Sequence, residues 1–391
     1  MACLVDLSTA TMASTTVFPD PGAAGREYFL AACHSLRLEA LYDTGRPLTY
    51  LPLELRTTPG LPRTETLTPG RPDRLLLLMG GGKDSLYCYR LLRRAGYEVQ
   101  CFYLTEARRT WQQLRRVYEH LAQETRQHRA FLDVNRRGAL EQSFGQWYLS
   151  QFQIGQVVAA ALPYALAHRC RHLVLGIERS SDEAMTTYCG EPVNHQHQKS
   201  TDFIRALNLH LKRRFGAGLS LVSPVKGLYD LGIYARFLET AQDLVPLQSS
   251  CGGANFHRPH CGRCPKCAFL AALLAGLTGD RDLYKRLFPR DPLQDPRLFA
   301  DWLGPGSDRP LTCAGLKEEV QLGLRLARSR GLQIKWLGRM AGTREESWPD
   351  KTHLRHLLAV HSNTMAPSQL IHRIAPLLDY DETALLQLLT A

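Results

Sequence analysis

The 391-residue chain has no run of 18 or more apolar residues, so no membrane-spanning helix is read from it. A basic stretch ahead of a long apolar one is also missing near residue 1, so no secretory signal and no membrane partner are expected, and the location reads as cytoplasmic. Internal repeats are absent. There is no stripe of arginines alternating with aromatic residues, which counts against single-stranded nucleic acid even though the net charge is +11. That basic surplus points instead to an anionic substrate, such as a nucleotide or a nucleotide sugar. Nothing in the sequence specifies an oligomeric state.

Cysteine, by contrast, is plentiful, with eleven residues. In a reducing compartment these read as free thiols or metal ligands. Cys251, Cys261, Cys264 and Cys267 form a Cys-x2-Cys-x2-Cys run with a fourth thiol upstream. Four thiolates at this spacing can close a tetrahedral site, and structural zinc is the expectation. An iron-sulfur cluster is the rival, but the Cys-Pro ending of the bacterial ferredoxin run is missing.

The segment 74–94 organises the rest. A short apolar run, Leu75 to Met79, reads as a buried strand; Gly80, Gly81 and Gly82 follow, and a helical pattern begins near Lys83. Strand, glycine loop and helix N-terminus together make an anion cradle, with Lys83 and Ser85 as further donors. The spacing is not that of a Walker A loop, because Asp84 stands between the Lys and the Ser.

Further strands are expected at 97–104, 131–134, 172–176 and 219–222, alternating with helices at 108–127, 155–168 and 201–215. This alternation implies an α/β fold with a doubly wound parallel sheet, its ligands at the carboxyl ends of the strands. Residues 1–25 read as a flexible lead-in, and 28–55 as a few strands or a strand and a helix. The chain divides into an N-terminal region (1–70), a nucleotide-binding core with the cysteine knuckle (71–280) and a mostly helical C-terminal region (281–391), with helices at 268–277, 316–330 and 367–390.

A second stretch, 176–203, is long and polar yet rich in chemistry, which marks a functional loop rather than disorder. Glu178, Asp182, Glu183, His195 and Lys199 form its pool of acids, bases and substrate contacts. His195 is the first choice as a base, since an unperturbed imidazole titrates near neutrality. His195 and His197 as a metal pair lack a third ligand, so substrate hydrogen bonding is preferred. Cys313, near a predicted helix start, has a thiol whose pKa that position would lower; a buried structural role is the commoner explanation.

The loop resembles the Ser-Gly-Gly-Lys-Asp-Ser loop of N-type ATP pyrophosphatases, with Gly80 in place of the first serine. With the four-cysteine knuckle, it resembles the 7-cyano-7-deazaguanine synthases over residues 73–277. A longer resemblance is to the ATP-dependent UDP-N-acetylmuramoyl-L-alanyl-L-glutamate epimerases of peptidoglycan synthesis. It runs through the glycine loop, Gly176-x-Glu178-Arg179-Ser180, Asn194-His195-Gln196-x-x-Lys199-Ser200, the knuckle and Cys313-x-Gly315-x-x-Glu318-Glu319. It implies an ATP pyrophosphatase-type core and a cytoplasmic isomerase serving cell-wall biogenesis and cell shape. It also implies ATP and Mg2+ held by residues 80–85, with Asp84, Glu178, Asp182, His195 and Lys199 as catalytic candidates. The terminal glutamate of a nucleotide-sugar peptide would be epimerised through an acyl-adenylate, releasing AMP and diphosphate. The alternatives are a nucleobase- or tRNA-modifying enzyme on the same core, an acyl-adenylating peptide epimerase of secondary metabolism, and a degenerate nucleotide- or RNA-binding module.

Overall fold

Four consecutive leucines, Leu75 to Leu78, explain the centre of the structure. In a strand alternate side chains face opposite ways, and Leu75 and Leu77 enter one hydrophobic cluster while Leu76 and Leu78 enter another. All four are buried, which stabilises the strand by about 2 kcal/mol per side chain. A strand buried on both faces needs helices on both, as in parallel sheets.

The computed structural model describes residues 68–131 and 153–389 apart from 106–107, 252, 255–256, 305–308 and 338–347, together with 16–19, 55–58 and several helical positions between 26 and 42. Strands β1 (Thr16–Pro19) and β2 (Leu55–Thr58) pair in parallel, so the predicted flexible lead-in contains an ordered strand. The core comprises β3 (Arg71–Leu78), α1 (Lys83–Arg94), β4 (Glu98–Thr105), α2 (Arg108–Leu121), β5 (Gln127–Phe131), α3 (Gln153–Ala167) and β6 (Cys170–Val174). After a small antiparallel hairpin, β7 (Thr186–Tyr188) and β8 (Glu191–Val193), come α4 (Thr201–Phe215), β9 (Ser220–Val222) and α5 (Asp230–Thr240).

The five-stranded sheet has the order β5-β4-β3-β6-β9, and every pairing is parallel. Relative to the chain this is 3-2-1-4-5, the doubly wound order in which the path reverses between β3 and β6. Residues of α3 and α4 fill one cluster, and residues of α1, α2 and α5 the other. The expected helix over 108–127 ends at Leu121, and the strand expected at 131–134 lies earlier, at Gln127–Phe131; residues 132–134 are outside the described part. The overshoot has a physical cause. The strand is at the sheet edge, alternates around polar Gln127, His128 and Arg129, and offers no apolar run to mark it.

Beyond the core lie α6 (Pro265–Thr278), α7 (Arg281–Leu287), α8 (Lys317–Ser329), α9 (Lys351–Leu358), α10 (Ser368–Ile374) and α11 (Thr383–Leu388). Helices α6 and α8 pack backbone to backbone: a Cβ on Gly276 would meet the Gly323 carbonyl oxygen at 2.5 Å. No helix among the described residues is long and apolar enough to cross a membrane.

Candidate functional site

The path reversal between β3 and β6 opens a crevice at their carboxyl ends, where open α/β sheets bind ligands. A cavity of about 220 Å³ lies there, lined by Gly80, Gly82, Lys83, Asp84 and Ser85 from the loop and α1, and by Gly176 and Glu178 after β6. Lys199, Asp230, Ser250, Lys266, Phe269 and Cys313 complete its walls.

Two glycines shape the cradle. Gly81 holds φ at +73°, a left-handed conformation that side chains resist, and its carbonyl accepts the Ser249 N–H at 2.8 Å. Gly176 passes so close to α1 that a Cβ would lie 2.7 Å from the Asp84 carbonyl carbon. The N-cap Gly82 sends no side chain onto the first amides of α1, so these point to the cavity without a protein cap. Ser85 donates its hydroxyl to the Gly82 carbonyl at 3.1 Å, which steadies the turn.

The floor is a charge cluster. Buried Lys83 extends its ammonium to both Asp84 and Asp230, and Asp230 Oδ2 also accepts the Ser180 hydroxyl at 2.7 Å. Burial alone would lower the Lys83 pKa, but Asp230, Asp84 and Glu178 raise it, so the ammonium stays charged. Asp84 is pushed up to about 6, chiefly by burial, against the pull of Lys83 and with Glu178 and Asp230 adding repulsion. Glu178 is buried as well, and its Oε2 has no hydrogen-bond partner among the described residues. Lys83 lies between the three carboxylates, and Lys199 and Lys266 bring further positive charge to the same walls. The three carboxylates do not form a ready-made metal cluster among the described residues, but one or two of them could join substrate phosphates around Mg2+, its usual donor set.

The polar stretch 177–200 is ordered by long-range bonds. Buried Lys226 donates to the Glu178 carbonyl at 3.0 Å and the Ser181 hydroxyl at 2.7 Å. Arg309 donates to the Glu183 carbonyl at 2.7 Å and the Gly315 carbonyl at 2.8 Å, and Gln196 Nε2 donates to the Ala314 carbonyl at 3.1 Å. The Gln196 bond draws the turn carrying Cys313 against the string that carries His195 and Lys199, and the Arg309 bond closes that turn on itself. Lys199 donates to Gln196 Oε1 at 3.1 Å, and despite burial its pKa is raised by Cys313, Glu178, Asp84 and Asp230.

Several sequence candidates lie outside the cavity lining. Asp182 is not in the cavity wall. It pairs with Lys226 at 3.0 Å and accepts the Thr201 N–H at 2.6 Å, fastening the start of α4. Glu183 accepts the Tyr229 hydroxyl at 3.3 Å, outside the lining. His195 also stands behind the wall. Its Nδ1 donates to Glu39 Oε1 at 2.5 Å, and although burial lowers its pKa, hydrogen bonds to Cys313 and Glu39 raise it to about 9. That shift favours the imidazolium, whereas a general base must be the free imidazole. His197 packs edge-on against Phe203 at 5.7 Å, and no metal-ligand cluster among the described residues contains either histidine.

Cys313, read from the sequence as more commonly structural, lines the cavity. Burial would raise its pKa, yet Lys199, then the hydrogen bond from His195 and the charge of Lys266, lower it to about 6. The helix start contributes little, because α8 begins only at Lys317. Asp230 and Lys266 went unnoticed in the sequence, and Glu319 entered only as part of the Cys313-x-Gly315-x-x-Glu318-Glu319 motif. Glu319 is buried and accepts the Leu231 and Leu316 N–H groups, both at 2.6 Å, which locks α5 and α8 together beside Asp230.

The four cysteines Cys251, Cys261, Cys264 and Cys267 converge, with all ligand atoms within 4.8 Å of one another. The Cys261 and Cys267 sulfurs are 3.7 Å apart, against about 3.8 Å for the edge of a tetrahedral zinc-thiolate site. The donor set fits a zinc ion. Lys266 sits inside this knuckle, at the start of α6, and reaches the cavity from it.

Comparisons with known proteins agree with this layout. Residues 51–223 match the MurL N-terminal domain, and residues 250–361 the MurL C-terminal domain. A UDP-N-acetyl-alpha-D-muramoyl-L-alanyl-L-glutamate epimerase of Salinispora tropica is 28% identical over 308 residues, 73% of this chain and 63% of that protein. Proteins of the same name from Micromonospora sp. and Xanthomonas oryzae pv. oryzae are each 27% identical, over 71% and 65% of this chain and 62% and 57% of their own lengths. The chain thus spans about three-fifths of the curated relatives it matches. With both domain models matched in order and the knuckle and glycine loop in place, the chain belongs to the MurL family.

Proposed function

We propose that this protein is an ATP-dependent epimerase that inverts the terminal L-glutamate of UDP-N-acetylmuramoyl-L-alanyl-L-glutamate through an acyl-adenylate. The observation that carries the reading is one cavity shared by two kinds of group: a phosphate cradle with a carboxylate-lysine floor, and a thiol beside two lysines. The first suits ATP and the second suits proton transfer at carbon. The relatives' printed names support the substrate class.

The α-proton of a free terminal glutamate is hard to remove, because the neighbouring carboxylate is already negative and an enolate there would concentrate charge. Adenylation removes that obstacle, with AMP as the eventual leaving group. The amides of α1 and the loop bind the phosphates. Lys83, tied to Asp84 and Asp230, keeps its charge and holds those carboxylates in place. Asp84, Glu178 and Asp230 are the residues that would hold Mg2+, which supplies charge neutralisation on the phosphates and the developing oxyanion. Lys199 and Lys266 bring positive charge to the same space, where an enolate oxygen would gain from it. Zinc at Cys251, Cys261, Cys264 and Cys267 would act structurally, fixing Lys266 and the start of α6.

On this reading residues 71–280 are the adenylating core, of ATP pyrophosphatase type, and residues 281–391 supply Cys313 and cover the crevice. Stoichiometric release of AMP and diphosphate on adding the UDP-linked dipeptide with Mg2+ and ATP supports it. Release with a nucleobase acceptor and none with the dipeptide refutes it.

A further inference from the structure

Epimerisation needs a group that takes the α-proton, and the expected His195 is outside the cavity, charged, and engaged with Glu39. Three observations converge on another residue. Cys313 opens into the same cavity as the phosphate cradle. Its turn is held from two sides, by Gln196 on the Ala314 carbonyl and by Arg309 on the Gly315 carbonyl. Behind that turn Glu39 fixes His195, and Lys199 lines the same cavity as the thiol. A thiol that only filled space would need none of these partners.

We infer that Cys313 is a catalytic residue whose thiolate removes the α-proton of the adenylated terminal glutamate. This rests on the adenylating-epimerase reading above. The Cα–H bond breaks, its electron pair moves into the enolate, and the proton goes to the Cys313 sulfur. The enolate is reprotonated on its opposite face by an acid of the cavity. Lys199 is the cation that acts most strongly on the thiolate, and its ammonium is the assigned donor. Proton transfer from thiol to amine then restores the thiolate-ammonium pair, with no oxidant or reductant required. His195 is a positioning residue: with Glu39 it orients the sulfur and holds it ionised. The largest charge effects on Cys313 come from Lys199, His195 and Lys266, all positive, with Asp84, Glu178 and Asp230 facing them across the same cavity, and the balance favours the thiolate.

The experiment uses the full chain with ATP, Mg2+ and the UDP-linked dipeptide in D2O. Cys313→Ala and the near-isosteric Cys313→Ser are compared with the unsubstituted protein for diphosphate release, glutamate chirality, α-deuterium and intact mass. Expected is diphosphate release within about threefold of the unsubstituted enzyme, with epimerisation at least ~100-fold lower, the usual scale for losing an acid-base group. Deuterium incorporation from the L-diastereomer should vanish in both variants while diphosphate release continues, a split that a merely structural cysteine would not produce. Epimerisation by Cys313→Ser within tenfold of the unsubstituted enzyme overturns the assignment. So does a thioester adduct at Cys313 by mass, which would make the residue a nucleophile, or equal loss of diphosphate release in both variants. If the unsubstituted protein yields neither diphosphate nor D-glutamate, the proposed function itself fails, and this inference with it.

Discussion

Asp84→Asn should make the protein more stable while abolishing its activity. In the folded state Asp84 titrates at about 6 rather than 3.8, because burial and the charges of Glu178 and Asp230 outweigh the attraction of Lys83. Ionising it at neutral pH therefore costs the fold about 3 kcal/mol, an order-of-magnitude figure. The sign follows from linkage: a carboxylate whose folded pKa is raised weakens the fold as pH climbs from its unfolded value through its folded one. Asparagine fixes the neutral form. The variant should match the unsubstituted protein below pH ~4, gain between pH ~4 and ~6, and hold a constant advantage above, worth about 4 °C in Tm for a chain of this size. Calorimetry across pH without nucleotide or Mg2+ measures this, and AMP formation measures activity. Mg2+ with ATP should then raise the Tm of the unsubstituted protein far more than that of the variant. A variant less stable at pH 7.5, or a gain independent of pH, would refute the picture of a carboxylate whose burial outweighs its lysine partner.

Three further outcomes follow from particular contacts. A Cβ at Gly80 meets nothing within 4 Å, so Gly80→Ser should leave Tm unchanged and, by adding one hydroxyl donor to a charged phosphate, lower the ATP KM about tenfold in steady-state kinetics. Asp182→Ala loses the Lys226 pair and the bond at the start of α4, so urea unfolding should show about 1–2 kcal/mol of destabilisation with kcat within about threefold. Elemental analysis should find one zinc per chain, and its removal by a chelator should lower Tm and activity together, since Lys266 is presented from the knuckle.

The parts of this architecture that were legible in the sequence are those with local causes. Leu75 to Leu78 declare a buried strand, three glycines before Lys83 declare the cradle, and helix α4 falls at Thr201–Phe215 as periodicity predicts. The Cys-x2-Cys-x2-Cys run announces its own convergence. What escaped depends on residues far apart in the chain. Strand β1 is recognisable only through its pairing with β2, nearly 40 residues on. Asp182 looked like chemistry until Lys226 and Thr201 appeared beside it. The surroundings of His195 and Cys313 were hidden for the same reason: Cys313 and Glu39 raise the imidazole pKa, Lys199 lowers that of the thiol, and none of these neighbours is near in sequence.

The most direct test of the central claim is the configuration of glutamate recovered after incubating the protein with ATP, Mg2+ and UDP-N-acetylmuramoyl-L-alanyl-L-glutamate and hydrolysing the product. The account predicts D-glutamate formed together with AMP. L-glutamate recovered intact, with no AMP, would contradict it.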